Sequence, residues 1–367
     1  MFQRWVCGLA GLGWRVTHIA PRSDVELEYP DDVNPVSLDP PGNYFQRLLG
    51  VRRVLPILDT TRPDLILFPD PELFAVLPRY GVRRRVPVVF DRHENFEDPS
   101  TFSQDGTVAR LIARGYSLLE RQLTRRLAGV VLVLNEMRSA LDPATSIETA
   151  RNFPTRAVLE ALGDPPQPDT RRFTCIHLGA QNVERGLYEM LDVADKMLNE
   201  RGRSDFSICL GGRFPRGHYD RCAAIVSERR LASNVQLING FVDHSEVSEL
   251  LRASRIGLSP YLSNAAARVT LQNKILEFMG AGLPVITSPS SLNGEIVEHS
   301  GCGTLLWANQ CDAICDQLEA WMDHPERARE VGLRGREYAL GNLVWETELA
   351  RIEPWLRDRP AAPSRRA

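Results

Sequence analysis

Residues 271–289 read LQNKILEFMGAGLPVITSP. Leu271, Ile275, Phe278 and Met279 recur at helical spacing and form one apolar face. Thr270 is a candidate cap ahead of that run, Gly282 suits the left-handed position after a helix, and Pro284 forbids continuation. PVITSP then follows at once as a short buried strand. A helix that hands over directly to a strand is half of a strand–helix–strand unit, so this stretch decides for an α/β chain.

The same alternation recurs on both sides of it. Strands are expected at 15–21, 64–70, 86–94 and 129–136, then at 173–179, 206–212, 235–241, 255–261, 284–290 and 303–307. Most are continuous apolar runs, as strands covered on both faces of a parallel sheet should be. The segment EALGDPPQPDTRR (160–172) is rich in Pro, Gly and Asp and reads as a linker. The expectation is therefore two doubly wound, Rossmann-like domains facing across a cleft, over 1–165 and 166–340. A last helix, within 341–358, would return to the first domain, and 359–367 would be a disordered tail. The opening MFQRWVCGLAGLG reads as a helix ending at glycine. The first domain thus lacks the strand and Gly-rich turn that usually precede such a helix.

Composition removes several function classes. With 44 Lys and Arg against 47 Asp and Glu, no global field attracts nucleic acid or a membrane. The seven cysteines are scattered, and the closest pair, Cys311 and Cys315, has no second pair or histidine at zinc spacing, which predicts reduced thiols in a cytoplasmic protein and no metal. No run of ~18 apolar residues and no signal peptide is present. Arg110, Arg114, Arg121 and Arg125 form a stripe on a helical pattern at 107–128. It is either a solubilising face or a peripheral foot at the inner face of a membrane.

Three constellations have the right chemistry for a site. Lys274 and Glu277, at i and i+3, project together near a helix N-terminus, where N–H groups and the helix dipole favour a diphosphate and a carboxylate can hold a ribose. The alternative is a solvated surface pair worth under ~1 kcal/mol. HLGAQNVERGLYEML (177–191) ends a strand at Gly179 and opens a helix at Arg185–Gly186, either as a phosphate loop or as a plain turn. FDRHENFED (90–98) puts His93 and Glu94 at a strand's carboxyl end, as catalytic or structural groups.

Together these features resemble the retaining glycosyltransferases of the family-4 type, which have the GT-B fold of two Rossmann-like domains. NKILEFMGAGLPVITSP is similar to that family's donor-site signature. VVFDRHENFED, ARNFP (150–154), HLGAQNVERGLYEMLDVADKM and NVQLINGFVDHSEVSELLRASRIGLSPY fit the same pattern, so the resemblance covers nearly the whole chain. It implies a nucleotide-sugar co-substrate, UDP-linked, with no metal and no separate cofactor. Glu277 would bind the ribose, Lys274 and Arg185 beside Gly179 the diphosphate, and the backbone of Phe241 and Val242 would border the base. His93 would serve the transferred sugar, and with Glu277 it makes the catalytic pair. The acceptor would be a glycan, a lipid-linked glycan or a small molecule. Val269 stands where the family commonly has a second acidic residue, and Ala180 where it often has an arginine. With its usual first strand missing, the chain resembles a member truncated at the N-terminus. Two other readings stay open: a non-catalytic GT-B homologue that binds a sugar nucleotide or a partner chain, and a GT-B sugar-nucleotide epimerase.

Overall fold

A computed structural model describes residues 2–22, 27–40, 42, 46, 50–93, 115, 117–163, 171–263 and 271–360. The chain forms two compact units, Met1–Asn152 with Trp345–Ala367, and Phe153–Val344. Chain passes between them at 152/153 and 344/345; of the expected linker, residues 164–170 lie outside the described residues.

Unit Phe153–Val344 is built on one parallel sheet. Its strands are β7 (Phe173–Leu178), β8 (Ile208–Gly212), β9 (Val235–Asn239), β10 (Ser254–Ser259), β11 (Val285–Thr287) and β12 (Gly303–Leu305). Their spatial order is β12-β11-β10-β7-β8-β9, every pairing parallel. The chain therefore winds outward one way from β7 and the other way from β10, the doubly wound order. Alternate residues of β7 go to opposite cores: Cys175 joins Leu187, Met190, Leu210 and Ile314 on one face, and Ile176 joins Ile275, Phe278 and Met279 on the other.

The helix of the opening stretch spans Asn273–Gly280, with Gln272 at its cap position; Thr270, expected there, lies outside the described residues. Ile275, Phe278 and Met279 are fully buried, each contributing about 1.5–3 kcal/mol by leaving water. Gly257 of β10 lies under the Phe278 ring so closely that a Cβ there would overlap it. The helix ends as its glycine requires. Gly282 has φ +66°, and the N–H groups of Gly282 and Leu283 return to the carbonyls of Met279 and Phe278, each at 2.9 Å.

The first unit holds two separate parallel ladders. One is β1 (Val16–Pro21) with β2 (Val33–Leu38); the other runs β3 (Ile66–Phe68), β4 (Val88–Arg92), β5 (Gly129–Leu132), β6 (Ile147–Thr149). Among the described residues no strand joins the two ladders, and β1 follows the opening helical stretch Phe2–Gly11. Val88 and Phe90 face one core while Val89 faces another, which contains Trp5, Leu9, Trp345, Leu349 and Ile352. The closing helix Trp345–Arg357 packs there, its Trp345 edge-on to Trp5 at 4.8 Å and donating from Nε1 to the Arg4 carbonyl at 2.6 Å. Arg359, assigned to the tail by composition, instead lies over the Trp355 ring and donates to its carbonyl at 2.8 Å. All ten strands expected from the sequence form; β2 and β6 were not foreseen.

Candidate functional site

β7 and β10 are neighbours whose following connections leave on opposite sides, and that divergence opens a crevice at their carboxyl ends. Gly179 and Arg185 come there from the loop after β7, and Lys274 and Glu277 come from the helix that follows β10. Distances bind the first three together. An ideal Cβ built on Gly179 would lie 3.1 Å from Lys274 Nζ and 3.8 Å from Arg185 Nη1.

Lys274 is 9% exposed, so the surface ion pair is the wrong alternative for it. Its ammonium lies 3.2 Å from Nε2 of His177, a fully buried residue of β7. Burial first, then the Arg185 charge, lowers the Lys274 pKa to about 7, with Glu277 pulling the other way. Among the described residues no carboxylate lies within 4.0 Å of the Lys274 or Arg185 cation. Arg185 is partly exposed and sits 5.7 Å from the centroid of the Tyr261 ring. Two cations held together with no carboxylate in direct contact, and only Glu277 acting on Lys274 from further off, form a site that an anion stabilises.

The loop that carries Gly179 is fixed by its own polar groups. Gly179 N donates to the Gly211 carbonyl at 2.9 Å, and the buried Gln181 amide donates from Nε2 to the carbonyls of Gly179 at 3.1 Å and Gly211 at 2.9 Å. Asn182 accepts from Arg185 N at 3.1 Å and starts the short turn Val183–Arg185, after which Gly186, at φ +69°, opens the helix Leu187–Asp195. Gly179 itself has φ +112°, a region that L side chains avoid. Gly179→Ala is therefore expected to cost about 1–3 kcal/mol of stability and to push Lys274 aside. Thermal unfolding and a crystal structure of that variant check both effects; a protein as stable as the parent, with Lys274 unmoved, would refute them.

Glu277 lies one turn further along the helix and is partly exposed. Burial raises its pKa, opposed by Lys274 and by His244. His244 opens the helix His244–Arg252 just after Phe241 and Val242, so the segment beyond β9 also reaches this end of the sheet. Phe241 is 92% exposed, an aromatic surface with nothing laid on it.

His93 belongs to the other unit, at the end of β4. Its Nε2 lies 2.6 Å from Oδ2 of Asp91, which is 1% exposed, so a buried carboxylate orients the imidazole. Between them in sequence, Arg92 makes a fully buried two-point pair with Glu120 at 2.8 and 3.1 Å. Of the basic stripe, Arg125 reaches Asp142 at 2.7 Å and Arg121 lies 3.9 Å from the same carboxylate. Glu94, Arg110, Arg114, Ala265–Thr270 and hence Val269 lie outside the described residues. Among the described residues no helix is long and apolar enough to cross a membrane.

Sequence reasoning missed His177 and Gln181, and gave Asp91 of the strand-end D-x-H-E no role of its own. His177 sits in TCIHLG, read only as an apolar strand; a histidine within a strand buried on both faces was the available signal. Asp91 carried a similar one, an acid two residues before His93 on the same side of a strand.

The second unit is a doubly wound α/β domain with two cations gathered at its switch point, and comparison with known proteins gives its family. Residues 172–324 match the family model "Glycosyl transferases group 1", and residues 1–148 match "Glycosyl transferase 4-like domain". The chain belongs to the GT4-type glycosyltransferases and has the GT-B fold. Sucrose-phosphate synthase from Thermosynechococcus elongatus superposes with a TM-score of 0.69 over 95% of this chain and 90% of that one, at 15% identity. Anabaena HepE in complex with UDP and glucose gives 0.63 over 89% and 86%, at 16% identity. In sequence, 87 residues are 31% identical to the GDP-mannose-dependent alpha-(1-6)-phosphatidylinositol monomannoside mannosyltransferase of Mycobacterium tuberculosis, a match spanning 24% of this chain and only 23% of that relative.

Proposed function

We propose that this protein is a retaining glycosyltransferase that moves a hexose from a nucleotide sugar to a hydroxyl of a glycan, lipid-linked or small-molecule acceptor. The observation that carries the reading is the pair Lys274 and Arg185, only partly offset by Glu277, at the switch point of the second unit's sheet. A nucleoside diphosphate supplies the missing negative charge. As the bond from the anomeric carbon to the diphosphate oxygen breaks, the electron pair passes to that oxygen, where both cations stabilise it. The freed oxygen then takes the proton of the acceptor hydroxyl arriving on the same face, as that hydroxyl's oxygen bonds to the anomeric carbon. The configuration is kept without a protein nucleophile or a metal.

Glu277 accepts from the ribose hydroxyls, the backbone of Phe241 and Val242 borders the base, and His93, held by Asp91, serves the transferred sugar. UDP is the nucleotide favoured here. The GDP-mannose dependence in the name of the mycobacterial relative makes GDP sugars the necessary comparison. Release of nucleoside diphosphate from UDP- and GDP-hexoses, with the anomeric configuration of the product read by NMR, tests the reading. Inverted product would end the retaining mechanism, and binding without any release would favour the non-catalytic homologue. His93→Ala is expected to keep nucleotide affinity within about twofold while losing at least ~100-fold in turnover; full turnover would take His93 out of the site.

A further inference from the structure

We propose that His177 is a positioning residue of the donor site: as a neutral imidazole it accepts a hydrogen bond from Lys274 and aims the remaining N–H bonds of that ammonium at the diphosphate. The proposal rests on the donor-site reading above.

Hydrogen-bond chemistry assigns the tautomer. His177 Nδ1 lies 2.8 Å from the carbonyl oxygen of Leu258 on β10. A carbonyl only accepts, so Nδ1 must carry the hydrogen. Burial, reinforced by the charges of Lys274 and Arg185, holds the His177 pKa well below its ordinary value, and the ring is neutral. Its Nε2 is then a lone pair, and Lys274 Nζ is the donor 3.2 Å away. The reverse arrangement, with Nε2 donating to a neutral amine, would set the Nδ1 lone pair against the Leu258 oxygen.

The choice of imidazole has a functional consequence. A carboxylate at position 177 would neutralise Lys274 and compete with phosphate for it. An apolar side chain would leave an ammonium N–H buried without an acceptor. A neutral imidazole holds the ammonium and leaves its charge available. Among the described residues, the charged and titratable groups around Lys274 are His177 from β7, Arg185 from the turn Val183–Arg185, and Glu277 from its own helix, with His244 beyond Glu277. Burial and the Arg185 charge, opposed by Glu277, lower the Lys274 pKa to about 7. A bound diphosphate favours the ammonium and must draw a proton in. Affinity should therefore be level just below pH 7 and fall toward tenfold per pH unit above it.

The test is calorimetric titration of UDP and GDP into the full chain between pH 7 and 9, above the second phosphate ionisation near ~6. Two buffers of different ionisation enthalpy count the protons taken up. The parent should show uptake and the falling profile. His177→Leu should bind on the order of 10–100-fold more weakly with its profile moved to lower pH, and His177→Gln, whose amide oxygen can accept, should recover most of the loss. If Lys274→Met loses binding while His177→Leu matches the parent in affinity and profile, positioning by His177 is refuted and the donor site stands. If the parent binds neither nucleotide, the donor-site reading falls and takes this proposal with it. Nitrogen-15 NMR of the unliganded parent decides the tautomer even if His177→Leu does not fold. A neutral ring protonated at Nδ1 from pH 6 to 8 supports the proposal; a ring protonated at Nε2 overturns it.

Discussion

Lys274→Met is expected to lose nucleotide binding by on the order of 10–150-fold and at the same time to make the protein more stable. The binding loss is that of one or more hydrogen bonds between an ammonium and a phosphate, about 1.5–3 kcal/mol. The stability gain follows from burial. Lys274 is 9% exposed and its pKa is lowered to about 7, whereas an unfolded lysine holds its proton to about 10.4. Between those values the unfolded state binds more protons, so the parent's stability rises with pH by at most about 1.4 kcal/mol per unit. The penalty is fully present below pH 7 and gone near pH 10.4. Methionine has nearly the same shape and no charge to desolvate, and its main cost is the lone pair left on His177 Nε2. The variant should melt several degrees higher at pH 6, with the advantage shrinking toward pH 10. A variant less stable than the parent at pH 6 would mean that Lys274 is neutralised by a partner.

Glu277→Gln should weaken nucleotide binding by about 1–3 kcal/mol and also stabilise the protein near neutral pH. A carboxylate accepts from two ribose hydroxyls, whereas an amide offers one oxygen and turns donors toward the rest. The sign of the stability effect again comes from the shift. Burial holds the folded Glu277 pKa above its unfolded value near ~4.3, so protons stabilise the folded state and stability is lost as pH rises through the raised pKa. The variant's advantage is therefore present at pH 7 and disappears below about pH 4. The two sites are coupled. Removing the Glu277 charge lowers the Lys274 pKa further, so part of the binding loss at pH 7 comes through Lys274. Unchanged affinity at pH 6 would remove Glu277 from the ribose.

The architecture was legible because buried parallel strands announce themselves as short apolar runs, and the ten runs read that way are strands. The two strands missed have specific causes. β2 is VNPVSL, whose Pro35 and polar alternation speak against a ladder but are tolerated on a strand that, among the described residues, pairs with β1 alone. β6 is only IET, an edge strand of three residues. In the site, Arg185 and Gly186 were legible from their place after a strand, and Gly282 from its place before Pro284. The burial of Lys274 was not. Spacing shows that Lys274 and Glu277 share a side of their helix, but not that this side meets the end of β7, some 97 residues earlier at His177. Contacts between distant segments decide protonation, and local pattern carries no trace of them.

The measurement that bears most directly on the account is titration of the parent protein with UDP and GDP at pH 7. The account predicts saturable 1:1 binding of one nucleotide in preference to the other, at least tenfold weaker in Lys274→Met. Absence of binding to either, or binding that Lys274→Met leaves unchanged, would contradict it.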